Sequence, residues 1–220
     1  PIELGFDPEQ LVRRDDVDVV IEATRGSDTY GLLEIALARK RPVATTNKSL
    51  VRQHGPRLEQ LALANGVRLV YHNAIAAGWP LIYAVERPLA HQRVQSIQAV
   101  LSSTCNVILE RMEQGFSFSS DLAHARALEV TEPDPELDLS AWDTAQKLLI
   151  LCARAEGRRF GVEDIVVRGV RDLDPVLVRE APSLGLRIKL VGLFVAGPDA
   201  PVAGALPLAV PVEGHLGSVR

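Results

Sequence analysis

The sequence predicts an α/β protein in which a partial parallel-sheet domain, residues 1–75, is followed by an α+β domain, residues 76–220. Three observations lead there. Over the first third of the chain, short β-branched runs alternate with helical patterns, and strands separated by roughly 10–15-residue helical stretches build βαβ units on a parallel sheet. After about residue 76 the alternation gives way to clustered helical segments and then clustered strands. Finally, 220 residues with 47% hydrophobic and 24% charged side chains have the size and composition of globular α/β chains, not of a disordered tail or a rod.

Val17-Asp18-Val19-Val20-Ile21 reads as the first strand and ends in the polar turn Thr24-Arg25-Gly26-Ser27-Asp28. Leu32, Leu33, Ile35 and Ala36 follow at helical spacing. Pro42 to Thr46 is a second strand, Leu50 to Ala64 a helix stopped by Asn65-Gly66, and Val67 to Tyr71 a third strand. Beyond Pro80 the pattern predicts a helix over Leu81–Glu86, a strand over Ser96–Ser103, and a helix from Cys105 to Gln114 capped by Thr104. Further helices are expected over Ser117–Leu128 and from a cap at Asp138 to about Ala155. Strands close the chain at Asp164–Val170, Leu186–Val195 and Ala203–Val210.

A formal charge of -4 gives no basic field for a phosphate backbone, so no nucleic-acid partner is expected. The longest wholly apolar run, Leu148 to Ala153, is far below the ~18 residues of a membrane span, so no membrane partner is expected either. Cys105 and Cys152 make neither a disulfide framework nor a metal-type pair, which fits a reducing, cytoplasmic setting. His54, His91, His124 and His215 lack ligand spacing; His72 stands at a strand end. With Pro1 first and no capping or tail signal at the end, the chain is expected to be a piece of a longer one.

Ligands of open parallel sheets lie beyond the carboxyl ends of the strands. Two turns there carry chemistry, Glu22-Ala23-Thr24-Arg25-Gly26 and Thr45-Thr46-Asn47-Lys48. No G-x-G-x-x-G occurs, so either the sheet binds no dinucleotide or the chain begins after the first βα unit of a Rossmann-type domain. The densest ionisable cluster is Glu132, Asp134, Glu136, Asp138, Asp143 and Lys147. Asp143 and Lys147, four apart, share a helix face with Ile150. Because Leu148 to Ala153 is apolar all round, the helix is expected to be buried and the pair partly desolvated, a setting that suits acid–base work or a structural ion pair.

Starting from Ala125, the run Thr131-Glu132-Pro133-Asp134-Pro135-Glu136-Leu137-Asp138-Leu139-Ser140-Ala141-Trp142-Asp143-Thr144-Ala145-Gln146-Lys147 resembles the homoserine dehydrogenase signature, A-x3-G-hydrophobic-small-x2-[DNS]-P-x2-D-hydrophobic-x-G-x-D-x3-K. Thr45-Thr46-Asn47-Lys48 is similar to the family's T-x-N-K, Gly78-Trp79-Pro80 to its G-I-P, and Thr104 to Leu109 to T-x-N-Y-I-L. The resemblance implies that residues 1–75 are the C-terminal part of a Rossmann-type NAD(P)-binding domain and 76–220 a catalytic and dimerisation domain. It also implies reversible reduction of aspartate semialdehyde to homoserine with NAD or NADP as cofactor, in a cytoplasmic homodimer acting on a small amino-acid substrate.

By position, the resemblance makes Lys147 the proton donor, with Asp143 beside it, and gives substrate binding to Glu132, Asp143, Asp138 and Glu129. Thr24, Arg25, Asn47 and Lys48 fall at cofactor-contacting positions. A backbone loop for a monovalent cation corresponds to His72, Ile75, Ala77 and Trp79. The sequence departs from the pattern at Glu129 and Ala141, which replace its glycines, at Ser102-Ser103, which replace Asn-Gly, and at Leu137, which replaces an aspartate. The alternatives are a non-catalytic or divergent relative, and a dehydrogenase of another amino-acid aldehyde or keto acid.

Overall fold

A computed structural model describes residues 5, 7–24, 28–75, 81–86, 92–118, 120, 124, 127, 135–197, 200–216 and 218. The chain divides into two compact units, Pro1–Arg87 and Pro88–Arg220.

The first unit is built on a parallel sheet in the order β1-β2-β3, with β1 at Val20–Glu22, β2 at Val43–Thr45 and β3 at Leu69–Val70. Helix α1 (Pro8–Arg13) precedes it; α2 (Tyr30–Ala38) and α3 (Lys48–Ala64) connect the strands, and α4 (Leu81–Glu86) follows. Leu33, Ala36 and Leu37 of α2 close against Val43 and against Leu50, Leu58 and Ala62 of α3, all buried. The periodicity of Leu32 to Ala36 therefore marks α2, as expected. Helix α1 was not foreseen, although Asp7-Pro8 announces it: the Asp7 carboxylate accepts from the Glu9 and Gln10 N–H groups, and Pro8 starts the helix where no N–H is needed.

The second unit is a mixed sheet in the order β4-β6-β7-β5. Strands β4 (Ser96–Ala99), β6 (Leu186–Val195) and β7 (Val202–Pro211) pair antiparallel, and β5 (Ile165–Val167) runs parallel to β7. Helices α5 (Ser103–Glu113) and α7 (Trp142–Glu156) pack on β6, with the short α6 (Glu136–Leu139) between them in sequence and α8 (Pro175–Glu180) against α5. Leu148, Leu149, Ile150, Leu151 and Cys152 are all buried, as the apolar second half of α7 predicts. Each fully buried leucine contributes about 1.5–3 kcal/mol. Lys189 of β6 is also buried, and its Nζ donates to Asn106 Oδ1 at 2.5 Å, tying α5 to the sheet.

Three local expectations are corrected. The strand expected over Ser96–Ser103 ends at Ala99, and the cap of α5 is Ser102, not Thr104; Ser102 Oγ accepts from the Cys105 N–H at 3.2 Å. Asp138 caps nothing: it lies inside α6, and α7 starts separately after Ala141, whose φ of 67° breaks the helical path. The helix expected over Ser117–Leu128 falls mostly outside the described residues. Among the described residues no helix is long and apolar enough to cross a membrane.

The left-handed backbone of Ala141 carries a testable consequence. A side chain with a Cβ costs roughly 1–2 kcal/mol in this region, partly offset because glycine loses more freedom on folding. Ala141→Gly is therefore expected to stabilise the protein by about 0.5–1 kcal/mol in a denaturant titration.

Candidate active site

The second unit assembles Asp138, Asp143 and Lys147 around the N-terminus of α5. Asp143 sits in the first turn of α7, where the helix dipole favours a carboxylate, and Lys147 lies one turn further on the same face. Lys147 Nζ is 2.7 Å from Asp143 Oδ2, and the two side chains are only 15% and 10% exposed, so this is a largely buried pair and not a solvated surface one. The same Nζ donates to the Leu101 carbonyl at 2.6 Å. An ammonium has three protons to donate, and the third has no partner among the described residues.

The segment 101–104 serves Asp138 and the lysine. Leu101 offers its carbonyl to Lys147, while Ser102 Oγ and Thr104 Oγ1 donate to Asp138 Oδ1 and Oδ2, each at 3.0 Å. Ser102 thus uses its lone pair to cap α5 and its proton to hold Asp138. An asparagine, the residue of the resembling pattern, has both an acceptor and a donor and meets the same two demands, so the exchange preserves the local bonding. Burial, and then the neighbouring Asp143 charge, push the Asp138 carboxyl above its ordinary value against the pull of Ser102, Thr104 and Lys147. Cys105 is fully buried with its thiol on the Asp138 carbonyl, and burial pushes its pKa up to about 12, which leaves no nucleophile there.

The first unit gathers its polar side chains at the carboxyl ends of β1 and β2. Glu22, the last residue of β1, is buried. Its carboxylate accepts from the Thr24 N–H at 2.8 Å, from the Thr24 and Thr45 hydroxyls, and from Asn47 Nδ2 at 3.4 Å. Burial acts to raise its pKa, but the donated bonds from Thr24, Thr45 and Asn47 together hold the carboxyl below the usual glutamate value. Asn47 Oδ1 meanwhile caps α3 through the Leu50 N–H at 3.1 Å, and Lys48 is the first residue of that helix.

Of the residues singled out in the sequence, Asp138, Asp143 and Lys147 come together in one unit, and Thr24 and Asn47 in the other. His72 and Ile75 form a 3₁₀ turn in which the His72 carbonyl accepts from the Ile75 N–H at 3.2 Å. Arg25, Ala77, Trp79, Glu129 and Glu132 lie outside the described residues. Among the described residues no group of three or more His, Cys, Asp or Glu side chains is placed to hold a metal ion. Sequence reasoning placed Glu22 in a chemistry-bearing turn without giving it a role, and missed Leu101 and Ser102 as members of these clusters. The pattern Ser102-x-x-Cys105 is a readable cap, whereas a backbone carbonyl such as that of Leu101 has no sequence signal.

These features define a class: a parallel Rossmann-type sheet with polar strand ends, joined in one chain to a mixed-sheet unit holding a largely buried lysine–carboxylate pair. Residues 80–220 match the family model described as homoserine dehydrogenase, and residues 3–72 the one described as homoserine dehydrogenase, NAD binding domain. The chain belongs to the homoserine dehydrogenase family.

A homoserine dehydrogenase from Synechocystis sp. is 33% identical over 195 residues, covering 88% of this chain and 45% of that protein. An NAD(+)-dependent homoserine dehydrogenase from Pseudomonas canavaninivorans is 28% identical over 203 residues, covering 90% of this chain and 58% of that protein. The crystal structure of a homoserine dehydrogenase from Thiobacillus denitrificans superposes with a TM-score of 0.90 at 31% identity, covering 97% of this chain and 50% of that one. The chain spans about half the length of the curated relatives it matches first.

Proposed function

We propose that the whole protein interconverts homoserine and aspartate semialdehyde with NAD or NADP, residues 1–75 being the last part of its nucleotide-binding domain and 76–220 its catalytic and dimerisation domain. The observation that carries this reading is the largely buried Lys147–Asp143 pair at 2.7 Å, on the stretch of chain that bears the family signature. A cytoplasmic homodimer belongs to the same reading and rests on the family resemblance.

The cofactor side fits by its polar groups. Hydroxyls of Thr24 and Thr45, the Asn47 amide and the start of α3 at Lys48 cluster at the strand ends, where ligands of parallel sheets bind. When bound, a nicotinamide supplies the exchangeable hydride. The chain's own part in reduction is at the carbonyl oxygen of the substrate. As negative charge grows there, the Lys147 ammonium faces it with the proton that neither Asp143 nor Leu101 engages, first stabilising the charge and then donating the proton. The resulting amine is reprotonated from water. In the opposite direction the neutral amine removes the hydroxyl proton of homoserine. Asp143 and Leu101 fix the direction of Nζ throughout, which is the positioning that makes the proton transfer efficient. Asp138, and with it Glu132 and Glu129, would provide negative charge for the substrate's ammonium group.

The test is a steady-state assay of the whole protein with NAD or NADP and a panel of small amino alcohols. Homoserine-dependent reduction of one of the cofactors is expected, with serine and threonine far poorer. Oxidation of a different amino alcohol would identify a divergent dehydrogenase, and no turnover with intact cofactor binding a non-catalytic relative.

A further inference from the structure

We propose that Glu22 is a positioning residue that fixes Thr24 as a hydrogen-bond acceptor toward the bound cofactor, so that this strand end receives a donor-bearing group and not a phosphate. The inference rests on the cofactor reading above and adds to it the polarity of one contact. A threonine hydroxyl has one proton and two lone pairs, and an ionised carboxylate can only accept. Both the hydroxyl and the N–H of Thr24 are donated to Glu22 Oε1. Thr24 is left with lone pairs alone, and since it is exposed at the carboxyl end of β1, those lone pairs are what a ligand meets. The Thr29 hydroxyl, 3.5 Å away, is then the donor in that contact.

A phosphate oxygen finds no donor at Thr24, and a buried anion behind it. An amide NH2 or a sugar hydroxyl finds an acceptor whose direction is fixed. Glu22 is in turn held from the neighbouring strand, because the Thr45 hydroxyl donates to its other oxygen and Asn47 Nδ2 to the first. One carboxylate thus couples the turn after β1 to the turn after β2 that leads into Lys48.

The experiment is a fluorescence titration of the whole protein with NADPH and NADH, read as Kd, alongside the melting temperature. Glu22→Gln presents an N–H where Thr24 or Thr45 now donates, and is expected to weaken binding about tenfold, the effect of losing one well-placed hydrogen bond. Thr24→Val is expected to weaken it similarly, and Thr24→Ser, which keeps the hydroxyl, to recover most of what Thr24→Val loses. The double variant Glu22→Gln with Thr24→Val is expected to be no worse than either single one, because the two act through one contact.

Unchanged Kd in folded Glu22→Gln, or additive losses in the double variant, would overturn the proposal even if the melting temperature falls. Should Glu22→Gln fail to fold, the exposed Thr24 pair decides alone, and equal binding by the Val and Ser variants overturns it. If the unaltered protein binds neither nucleotide, the dehydrogenase reading itself fails and this inference with it. Binding that no variant moves refutes only the inference.

Discussion

Lys147→Ala is expected to lower homoserine oxidation by the whole protein by about 10²–10⁴-fold, the usual worth of a positioned acid–base group. The loss should fall on kcat, because the proton and the compensating charge are needed when the oxygen becomes anionic and not when the substrate docks. Among the described residues nothing replaces it. Asp143 brings only negative charge, Leu101 contributes only a carbonyl, and the Cys105 thiol is held protonated up to about 12. Circular dichroism should show the fold retained, since the helix carrying Lys147 is anchored by Leu148, Leu149 and Leu151 on its apolar side. Turnover near the unaltered rate in a folded Lys147→Ala protein would remove this lysine from the chemistry.

Gly169→Ala is expected to be a strongly destabilising single-methyl change in the second unit. A Cβ built at Gly169 falls 2.3 Å from the Leu139 carbonyl oxygen and 2.9 Å from the Ser140 Cα. Both are backbone atoms, and the Leu139 carbonyl already accepts from the Val170 N–H at 2.9 Å, so neither side can turn away. Relief requires moving the bend between α6 and α7, which carries Asp138 before it and Asp143 just after it. Overpacking of this kind costs about 1–3 kcal/mol. At roughly 2–4 °C per kcal/mol for a chain of this size, the melting temperature should fall by several degrees, and kcat should fall with it. Gly31→Ala on α2, where a Cβ meets nothing within 4 Å, is the control and should be neutral or slightly stabilising. A Gly169→Ala protein with unchanged melting temperature and turnover would show that the bend accommodates the methyl.

The elements that the sequence placed well are those in which one local pattern decides the outcome. Strand β6 runs over Leu186–Val195 in both the expectation and the structure, and α3 differs from expectation by its first two residues, because alternation and helical spacing persist there long enough to outweigh their ends. The boundary between α6 and α7 was misplaced because the local residues, from Pro135 to Ala155, all tolerate a helix; the break is imposed by Ala141 adopting a positive φ and by the Val170 N–H reaching in to the Leu139 carbonyl. The i,i+4 spacing of Asp143 and Lys147 is likewise visible in the chain, but an exposed pair of that kind contributes only about 0.3–0.5 kcal/mol and says nothing of function.

What the sequence determined by itself was which groups exist and in what order: two polar strand ends, a lysine one turn after an aspartate, an apolar helix behind them, and the spaced pattern that led to the family. What only the tertiary structure decided was their electrostatic state and direction. Side chains 10% and 15% exposed make Asp143 and Lys147 a largely buried pair, Leu101 aims the ammonium from 46 residues away, and Glu22 accepts hydrogen bonds from the Thr24 hydroxyl in its own turn and the Thr45 hydroxyl of the next strand. The physical reason is that burial and hydrogen-bond direction depend on which distant segments pack against a group. A linear pattern records the group but not its neighbours.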